Sequence, residues 1–511
     1  MTGRVKILRF DPERDVAPKW REYEYPYEPG MTVLDVVNYV HRHLDGTLSF
    51  AYSCRNSHCG LCSACVDGRP VLMCREPARP EMRVEPLRNV PVVRDLQVDL
   101  DAYTRREDSL RTFLERVTEP GGEPEQVDME AFAAFRVASR CVRCLNCVSR
   151  CPVYQADPHG YVGPAMLVRL ARHLFDPRDC LNRELVACDE GLYECTGCGA
   201  CSTVCPHDLD PSGVIAGVKV KAARAGLLPA AVSDLVATLP RAGSSFPVAR
   251  GRTTFLQETP EVVKARGETR GSVGLFVGCL INTHPRLRRV AESAVQVLSA
   301  IGWDVLIPSG QVCCGLPLQE LGLGERAASL VHKNRDAFAG LGLDAVVTIC
   351  SGCGHTAKTL WKATEGALPF RIYDFSEFLA QCLDASAHDL FGEVAGLSSV
   401  TYHDPCTLSR GQGVSEEPRR LLRLVRGLEL REMVEPDRCC GGGGEVPLTN
   451  PALAEAMASH KAGMVGETRA QAVVTACPTC MRQFAAALRK KRLPVEVLHV
   501  ADVLARSLER R

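Results

Sequence analysis

Twenty-six cysteines, many of them at short and repeated spacings, lie in a chain of 511 residues, and no other feature restricts the fold so tightly. The N-terminus, Met1-Thr-Gly-Arg-Val-Lys-Ile-Leu-Arg-Phe-Asp11, carries charges where an export signal needs an apolar stretch, so cytoplasmic residence is expected. In a reducing cytosol such thiols do not persist as a disulfide framework; they bind metal or clusters, or do redox chemistry. Lys+Arg and Asp+Glu both number 61, which leaves a formal net charge of zero and no footprint for nucleic acid or a basic membrane patch. No apolar run approaches the roughly 18 residues of a membrane span. At roughly 100 to 200 residues per domain the chain holds three or four domains.

Spacing decides what the thiols bind. Cys54, Cys59 and Cys62 form C-x4-C-x2-C, and Cys74 follows after eleven intervening residues, the spacing of plant-type 2Fe-2S ligation. A zinc site would favour two C-x2-C pairs. Small residues such as Gly60 and Ser63 let the loop wrap a cluster, and Asp67-Gly68 makes a hairpin turn before the strand carrying Cys74. Val5 to Phe10 and Glu22 to Tyr27 read as strands, and Thr32 caps a helix through Val33, Val36, Val37 and Val40. That order predicts a β-grasp 2Fe-2S ferredoxin domain over residues 1–105. Two further runs, Cys141-x2-Cys144-x2-Cys147-x3-Cys151-Pro152 and Cys195-x2-Cys198-x2-Cys201-x3-Cys205-Pro206, have the bacterial ferredoxin spacing, in which the fourth Cys of each run ligates the other cluster. One 4Fe-4S cube is therefore assigned to Cys141, Cys144, Cys147 and Cys205, the other to Cys195, Cys198, Cys201 and Cys151. Pro164 to Phe175 and the stretch before Cys195 read as helices, which predicts an α-helical two-cluster domain over residues 106–227.

On these residues the first 225 or so positions resemble the iron-sulfur subunit of the succinate dehydrogenase and fumarate reductase family. The likeness is carried by Val5-Lys-Ile-Leu-Arg-Phe-Asp-Pro12, Met31-Thr-Val-Leu-Asp35, Tyr52-Ser-Cys54-Arg55, Tyr161-Val-Gly-Pro-Ala165 and Cys205-Pro206. The resemblance implies electron transfer between a FAD-bearing dicarboxylate subunit and a second redox partner. Two positions depart from the family. Cys198 stands where many members have an aliphatic residue and a 3Fe-4S cluster, so a complete cube is implied here. Ala156 and Thr196 stand where many members place a Trp and a His near quinone, which argues against direct quinone chemistry at that site.

A loop-rich connection is expected over residues 228–271, and a duplication follows it. Cys279, Cys313-Cys314-Gly315 and Cys350-Ser-Gly-Cys353 recur as Cys406, Cys439-Cys440-Gly441 and Cys477-Pro-Thr-Cys480, at offsets of 127, 126 and 127 positions. Each unit, residues 272–396 and 397–511, reads as α/β. Val273 to Val277 is an apolar strand. Pro285 opens a helix with Leu287, Val290, Ala291, Ala294, Leu298 and Ile301 on one face, closed by Gly302; Pro418, Leu421, Leu422, Val425 and Gly427 answer in the second unit. A β-branched strand then delivers each C-x2-C at its carboxyl end, and the run Gly441 to Gly444 lets backbone approach a cluster. The predicted fold class is thus α+β and α/β, multidomain. Five thiols per unit exceed what a cubane or a tetrahedral zinc needs. The pattern resembles the Cys-Cys-Gly domains of the heterodisulfide reductase catalytic subunit, and the resemblance implies two non-cubane 4Fe-4S clusters facing a thiol/disulfide substrate. By that likeness Cys279, Cys313, Cys314, Cys350 and Cys353 form one catalytic set, and Cys406, Cys439, Cys440, Cys477 and Cys480 the other. Relatives in lactate and glycolate oxidation lose some of these cysteines; here all ten are present.

Cys65, Cys180, Cys188 and Cys382 remain unassigned and read as small hydrophobic residues. His403 and His355 are candidates for proton delivery to a departing thiolate, weighed against a structural role; His58 reads as exposed loop. Gly322-Leu-Gly324 and Gly411-Gln-Gly413 lack a dinucleotide context, and no flavin fingerprint occurs, so any flavin belongs to another polypeptide. As a whole the chain resembles the B subunits of the thiol:fumarate reductase family. That resemblance implies oxidation of two thiols, coenzyme M and coenzyme B in methanogens, with electrons passing through the clusters to a FAD-containing A subunit. The rival expectation is an electron-transfer subunit of succinate dehydrogenase or quinol:fumarate reductase, its Cys-Cys-Gly domains relaying to a membrane-anchor partner. A structural zinc scaffold is the third.

Overall fold

The computed structural model describes residues 1–117, 121, 128–248 and 253–509. The chain forms two compact units, one of Met1–Leu192 with Gly199–Leu227, the other of Tyr193–Cys198 with Leu228–Arg511.

In the first unit β1 (Thr2–Arg9), β2 (Lys19–Pro26), β3 (Ser63–Val66), β4 (Arg69–Leu72) and β5 (Glu81–Glu85) make one sheet in the order β2-β1-β5-β3-β4. β1 pairs antiparallel to β2 with Val5 opposite Tyr23, and parallel to β5 with Val5 opposite Met82. Alternation along β1 sends Val5 and Ile7 into the core, where Val33, Val36 and Val37 of helix α1 (Val33–Tyr39) meet them. Thr32 starts that helix as expected: its hydroxyl accepts the Asp35 N–H at 3.2 Å, and the Asp35 carboxylate accepts the Thr32 N–H at 2.9 Å. Asp67, in the left-handed region with φ 46°, and Gly68 turn β3 into β4; Cys74 follows two residues beyond β4 rather than within it. The cysteine runs are followed by α2 (Pro164–Leu174) and α3 (Pro211–Arg224), each begun by proline at its first position. Cys65 is buried 3.5 Å from the Ser149 hydroxyl, Cys180 is exposed and Cys188 half-buried.

The second unit holds two mostly parallel sheets. The first, from β6 (Val262–Val263), β7 (Gly271–Phe276), β8 (Trp303–Leu306), β9 (Ala345–Thr348) and β10 (Arg371–Asp374), runs β10-β9-β7-β8-β6, with only β6 antiparallel. The second, from β11 (Ser399–Tyr402), β12 (Glu429–Leu430), β13 (Ala472–Thr475) and β14 (Glu496–His499), runs β12-β11-β13-β14, all parallel. Register repeats between them: Ala345 lies opposite Val273, and Ala472 opposite Val400. A single apolar core gathers residues of both sheets, Val273, Leu275, Val347, Val400 and Val474 among them.

The loop-rich reading of residues 228–271 does not hold for what is described of them. Ser233–Ala242 is helical, Phe255 and Leu256 enter the shared core from a turn capped by Thr254 and Gln257, and β6 closes the sheet edge. Val232, Leu235, Val236 and Leu239 carry a helical spacing that the loop reading passed over, whereas Phe255 and Leu256 are an isolated pair with no period to read. The helix expected from Pro285 begins three residues later, over α4 (Arg288–Ala300), because Cys279–Thr283 forms a helical turn of its own.

Candidate functional site

In the first unit two thiol sites can be built. Cys54 accepts backbone N–H bonds from Asn56, His58 and Cys59, each at 3.3 Å, and Arg55 and Ser57 take positive φ to aim them. These bonds, Asn56 first, hold the exposed Cys54 thiol down to about 7, whereas burial pushes Cys62 up to about 12. Cys54 associates with Cys59, and Cys62 with both Cys74 and Cys59, so the four thiols form one linked set. His58 lies off this set; its ring stacks on His207, centroids 6.4 Å apart. Gly60 has φ 72°, and a Cβ there would stand 2.8 Å from the Val142 carbonyl oxygen, so the loop presses directly on the next cysteine run. Cys141, Cys144, Cys147 and Cys205, the four residues assigned to one cube, line a single enclosed cavity with Leu145 and Pro206. Burial pushes Cys144 up to about 12 and Cys147 above its ordinary value, so bare thiols there stay protonated and a cation would be needed to take them as thiolates. Of the second cubane set, Cys151 and Cys201 belong to the first unit, Cys195 and Cys198 to the second.

In the second unit one cavity of about 530 Å³ is lined by all ten cysteines of the two Cys-Cys-Gly sets. Each C-x2-C stands where a central strand gives way to a helix: Cys350 and Cys353 after β9, on α5 (Ser351–Thr356), and Cys477 and Cys480 after β13, on α8 (Pro478–Lys490). Cys279 follows β7, and Cys406 opens α6 (Cys406–Gln412) after β11. The two halves are tied at this point, since the Ser351 N–H donates to the Ala476 carbonyl at 3.2 Å and Thr407 donates to the Ser351 hydroxyl at 2.9 Å. The thiols sit close together: Cys440 and Cys480 sulfurs are 3.0 Å apart, and Ser245 Oγ is 3.2 Å from the Cys313 sulfur. Hydrogen bonds from Cys313 and Cys353 hold Cys314 down to about 6, and one from Cys480 does the same for Cys477, against the burial of both. Clustered buried donors with depressed thiols suit cations.

His403 stands beside the second set, 1% exposed. Burial pushes its imidazole down to about 3, leaving it neutral at physiological pH. His355 is different: its Nδ1 meets the Gly411 carbonyl at 3.2 Å, and it does not line the cavity. Gly324 opens a helical turn with Gly322 two residues before it, and Gly411 lies inside α6.

Sequence reasoning missed two features. Tyr193–Cys198, the start of a ferredoxin run, packs with the second unit: Arg410 Nε donates to the Cys198 carbonyl at 2.6 Å, and the Cys439 sulfur lies 3.6 Å from Thr196 Oγ1. Gly443 and Gly444 serve this packing, for a Cβ on Gly443 would stand 2.6 Å from the Thr196 carbonyl oxygen. Arg482 was also missed. It lines the ten-cysteine cavity with its guanidinium 5.2 Å from the Phe246 ring centroid, and among the described residues no carboxylate pairs with it. Its one signal was its place two residues after Cys480 on a helix.

These sites describe an iron-sulfur electron-transfer protein, and the comparisons place it. Residues 4–105 match the profile of a 2Fe-2S iron-sulfur cluster binding domain, 137–209 that of a 4Fe-4S dicluster domain, and 273–358 and 400–485 that of a cysteine-rich domain. The chain is 33% identical over 511 residues to the B subunit of the fumarate reductase (CoM/CoB) of Methanothermobacter marburgensis, covering 98% of each chain. A fumarate reductase iron-sulfur subunit of Mycobacterium tuberculosis is 39% identical over 229 residues, 43% of this chain and 92% of that one. The D subunit of the dihydromethanophenazine:CoB–CoM heterodisulfide reductase of Methanosarcina barkeri is 28% identical over 391 residues, 72% of this chain and 93% of that one. The chain belongs to the family of the fumarate reductase (CoM/CoB) B subunit. It is an oxidoreductase subunit made of 2Fe-2S, 4Fe-4S and cysteine-rich domains. Among the described residues no helix is long and apolar enough to cross a membrane.

Proposed function

We propose that this chain couples oxidation of two thiols to a disulfide with reduction of fumarate on a FAD-containing partner subunit. The observation that carries the reading is the single cavity onto which all ten cysteines of both five-thiol sets open. Two sets around one space suit a reaction that joins two sulfurs. In balance, two thiols lose two electrons and two protons and become one disulfide, and fumarate gains the same electrons and protons to become succinate.

We read residues 1–105 as a β-grasp domain with a 2Fe-2S cluster on Cys54, Cys59, Cys62 and Cys74, in keeping with the four thiols forming one linked set. Two cubes belong to residues 106–227, on Cys141, Cys144, Cys147 and Cys205 and on Cys195, Cys198, Cys201 and Cys151. Two non-cubane 4Fe-4S clusters belong to the duplicated units 272–396 and 397–511. The ten cysteines of the two sets would hold these clusters, which would supply one-electron acceptors and iron sites for thiolate sulfur. The protein's own groups do the rest. Phe246, Leu280, Pro447 and Leu448 line the cavity with apolar surface that excludes water, and Arg482 offers a cation to an acidic substrate arm. Without metal, hydrogen bonds among the thiols lower Cys314 and Cys477 and raise Cys353 and Cys480, so each set shares protons that a bound cation would displace. The chemistry suits a reducing compartment, the cytoplasm.

The test is anaerobic assay of the reconstituted chain with its flavoprotein partner. Fumarate reduction driven by thiols without quinone supports the reading. Activity confined to quinol analogues and membranes refutes it in favour of a relay subunit. Metal analysis gives about 18 irons per chain if all five clusters form, and about eight fewer if the C-terminal half holds zinc.

A further inference from the structure

The two five-thiol sites share their cysteines but not their neighbours. Phe276 ends β7, and the residue 127 positions later, following β11, is His403. At the first site Phe276 meets Trp361 edge to face, centroids 5.3 Å apart, and closes an apolar wall with Cys314 and Cys353. At the second site His403 meets Phe484 edge to face, centroids 5.0 Å apart. A ring that can only pack has been replaced by one that carries two nitrogens.

Those nitrogens are not equivalent. Nδ1 lies 3.0 Å from the Pro436 carbonyl oxygen, which only accepts, so Nδ1 carries the proton. Nε2 of the neutral ring then carries a lone pair, and it has no hydrogen-bond partner although it is buried. Asp404, the adjacent carboxylate, is committed to Arg419 at 2.9 and 2.7 Å. A ring nitrogen of His403 and the sulfurs of Cys440 and Cys480 lie within 4.8 Å of one another. One nitrogen fixed on a backbone carbonyl and the other left bare beside two cysteine sulfurs is the arrangement of a metal-binding histidine.

We infer that His403 Nε2 is an iron ligand at the second Cys-Cys-Gly site, which makes it a mixed nitrogen and sulfur site while the first is bound by sulfur alone. This rests on the cluster reading above. A neutral imidazole at an iron position that one of the five thiolates would otherwise fill raises the potential of that iron. The two ends of the cavity are then unequal, and the His403 end is the better electron acceptor when two thiols are oxidised.

The experiment uses the full chain reconstituted anaerobically with iron and sulfide, with histidine carrying either ¹⁴N or ¹⁵N. Pulsed electron paramagnetic resonance is recorded across a complete redox titration. The expected result is a histidine nitrogen coupling that changes with the isotope, is lost in His403→Phe, and leaves the 2Fe-2S and cubane signals unaltered; the midpoint of the second site shifts lower in that variant. Isotope exchange in the unsubstituted chain decides the matter even where His403→Phe does not fold. An iron-replete chain with no histidine coupling in any oxidation state, or a coupling that survives His403→Phe, overturns the inference. A chain holding only about ten irons points instead to failure of the cluster reading itself.

Discussion

Gly444 and Gly463 are both glycines of the second unit, and replacing each by alanine has opposite consequences. Gly444 has φ 67°, and a Cβ there would stand 2.8 Å from the Thr196 Cα and closer still to the Cys195 carbonyl oxygen. Left-handed backbone costs alanine about 1 kcal/mol or more, and the obstruction is main chain, which cannot rotate away. Forcing the two segments apart adds about 1–3 kcal/mol, so Gly444→Ala costs about 2–4 kcal/mol in all. Gly463 sits inside α7 (Pro451–Glu467) with nothing within 4 Å of the added atom, so alanine gains about 0.5–1 kcal/mol of helix propensity. Trp303 and Trp361 lie in the second unit, Trp361 fully buried, and their fluorescence follows its unfolding. At about 2–4 °C per kcal/mol, Gly444→Ala lowers the transition by roughly 5–15 °C and Gly463→Ala raises it by roughly 1–4 °C. Because the obstruction falls on Cys195 and Thr196, Gly444→Ala also loses iron. Shifts of the same sign, or a Gly444→Ala protein within about 0.5 kcal/mol of the parent, would refute the packing described for Tyr193–Cys198.

Three further outcomes are expected. Arg419→Ala leaves Asp404 buried without its guanidinium, both side chains being nearly inaccessible, and lowers stability by about 3–5 kcal/mol in the same fluorescence transition. Burial raises Asp374 to about 7, above its unfolded value near 4, so the folded state binds the extra proton; its contribution is complete below about pH 4 and is lost as pH rises through 7. Asp374→Asn keeps the bond that Asp374 accepts from the Ser376 N–H and flattens stability across that window in equilibrium unfolding measured from pH 4 to 8. Arg482→Ala raises KM for a thiol bearing a carboxylate or phosphate about tenfold, worth about 1.4 kcal/mol, and leaves KM for an uncharged thiol unchanged; equal effects on both thiols would remove Arg482 from the substrate's path.

What could be read from residue order alone followed covalent spacing. The Thr32 cap, the strands that deliver Cys350 and Cys477, and the closeness of Cys141, Cys144, Cys147 and Cys205 all depend on local periodicity or on a spacing that cluster geometry imposes. Phe255 and Leu256 escaped because two apolar residues in a polar stretch give no period, although the core they enter is assembled from strands far along the chain. Arg482 escaped because an arginine on a helix is ordinarily a solvated face; only the fold turns that face toward ten cysteines. His403 was visible as a candidate, but its role depends on which nitrogen is tied down, and Pro436 does that from 33 positions away.

The placement of Cys198 bears on how charge would leave the thiol cavity. Its carbonyl is held by Arg410, whose guanidinium is itself fixed by Asp437 at 2.8 Å. Cys439 is drawn below its ordinary value by hydrogen bonds with Cys198 and Cys406, which sets a ferredoxin cysteine and a Cys-Cys-Gly cysteine in direct contact. Gly443, which tolerates no side chain against Thr196, makes that contact sterically feasible. Cys313, the counterpart in the first set, instead has Cys279, Cys314 and Ser245 as its neighbours. The second five-thiol set, the one with His403, is therefore the one that touches the ferredoxin run. On the proposed thiol oxidation, electrons would leave the cavity at that end, beside the imidazole.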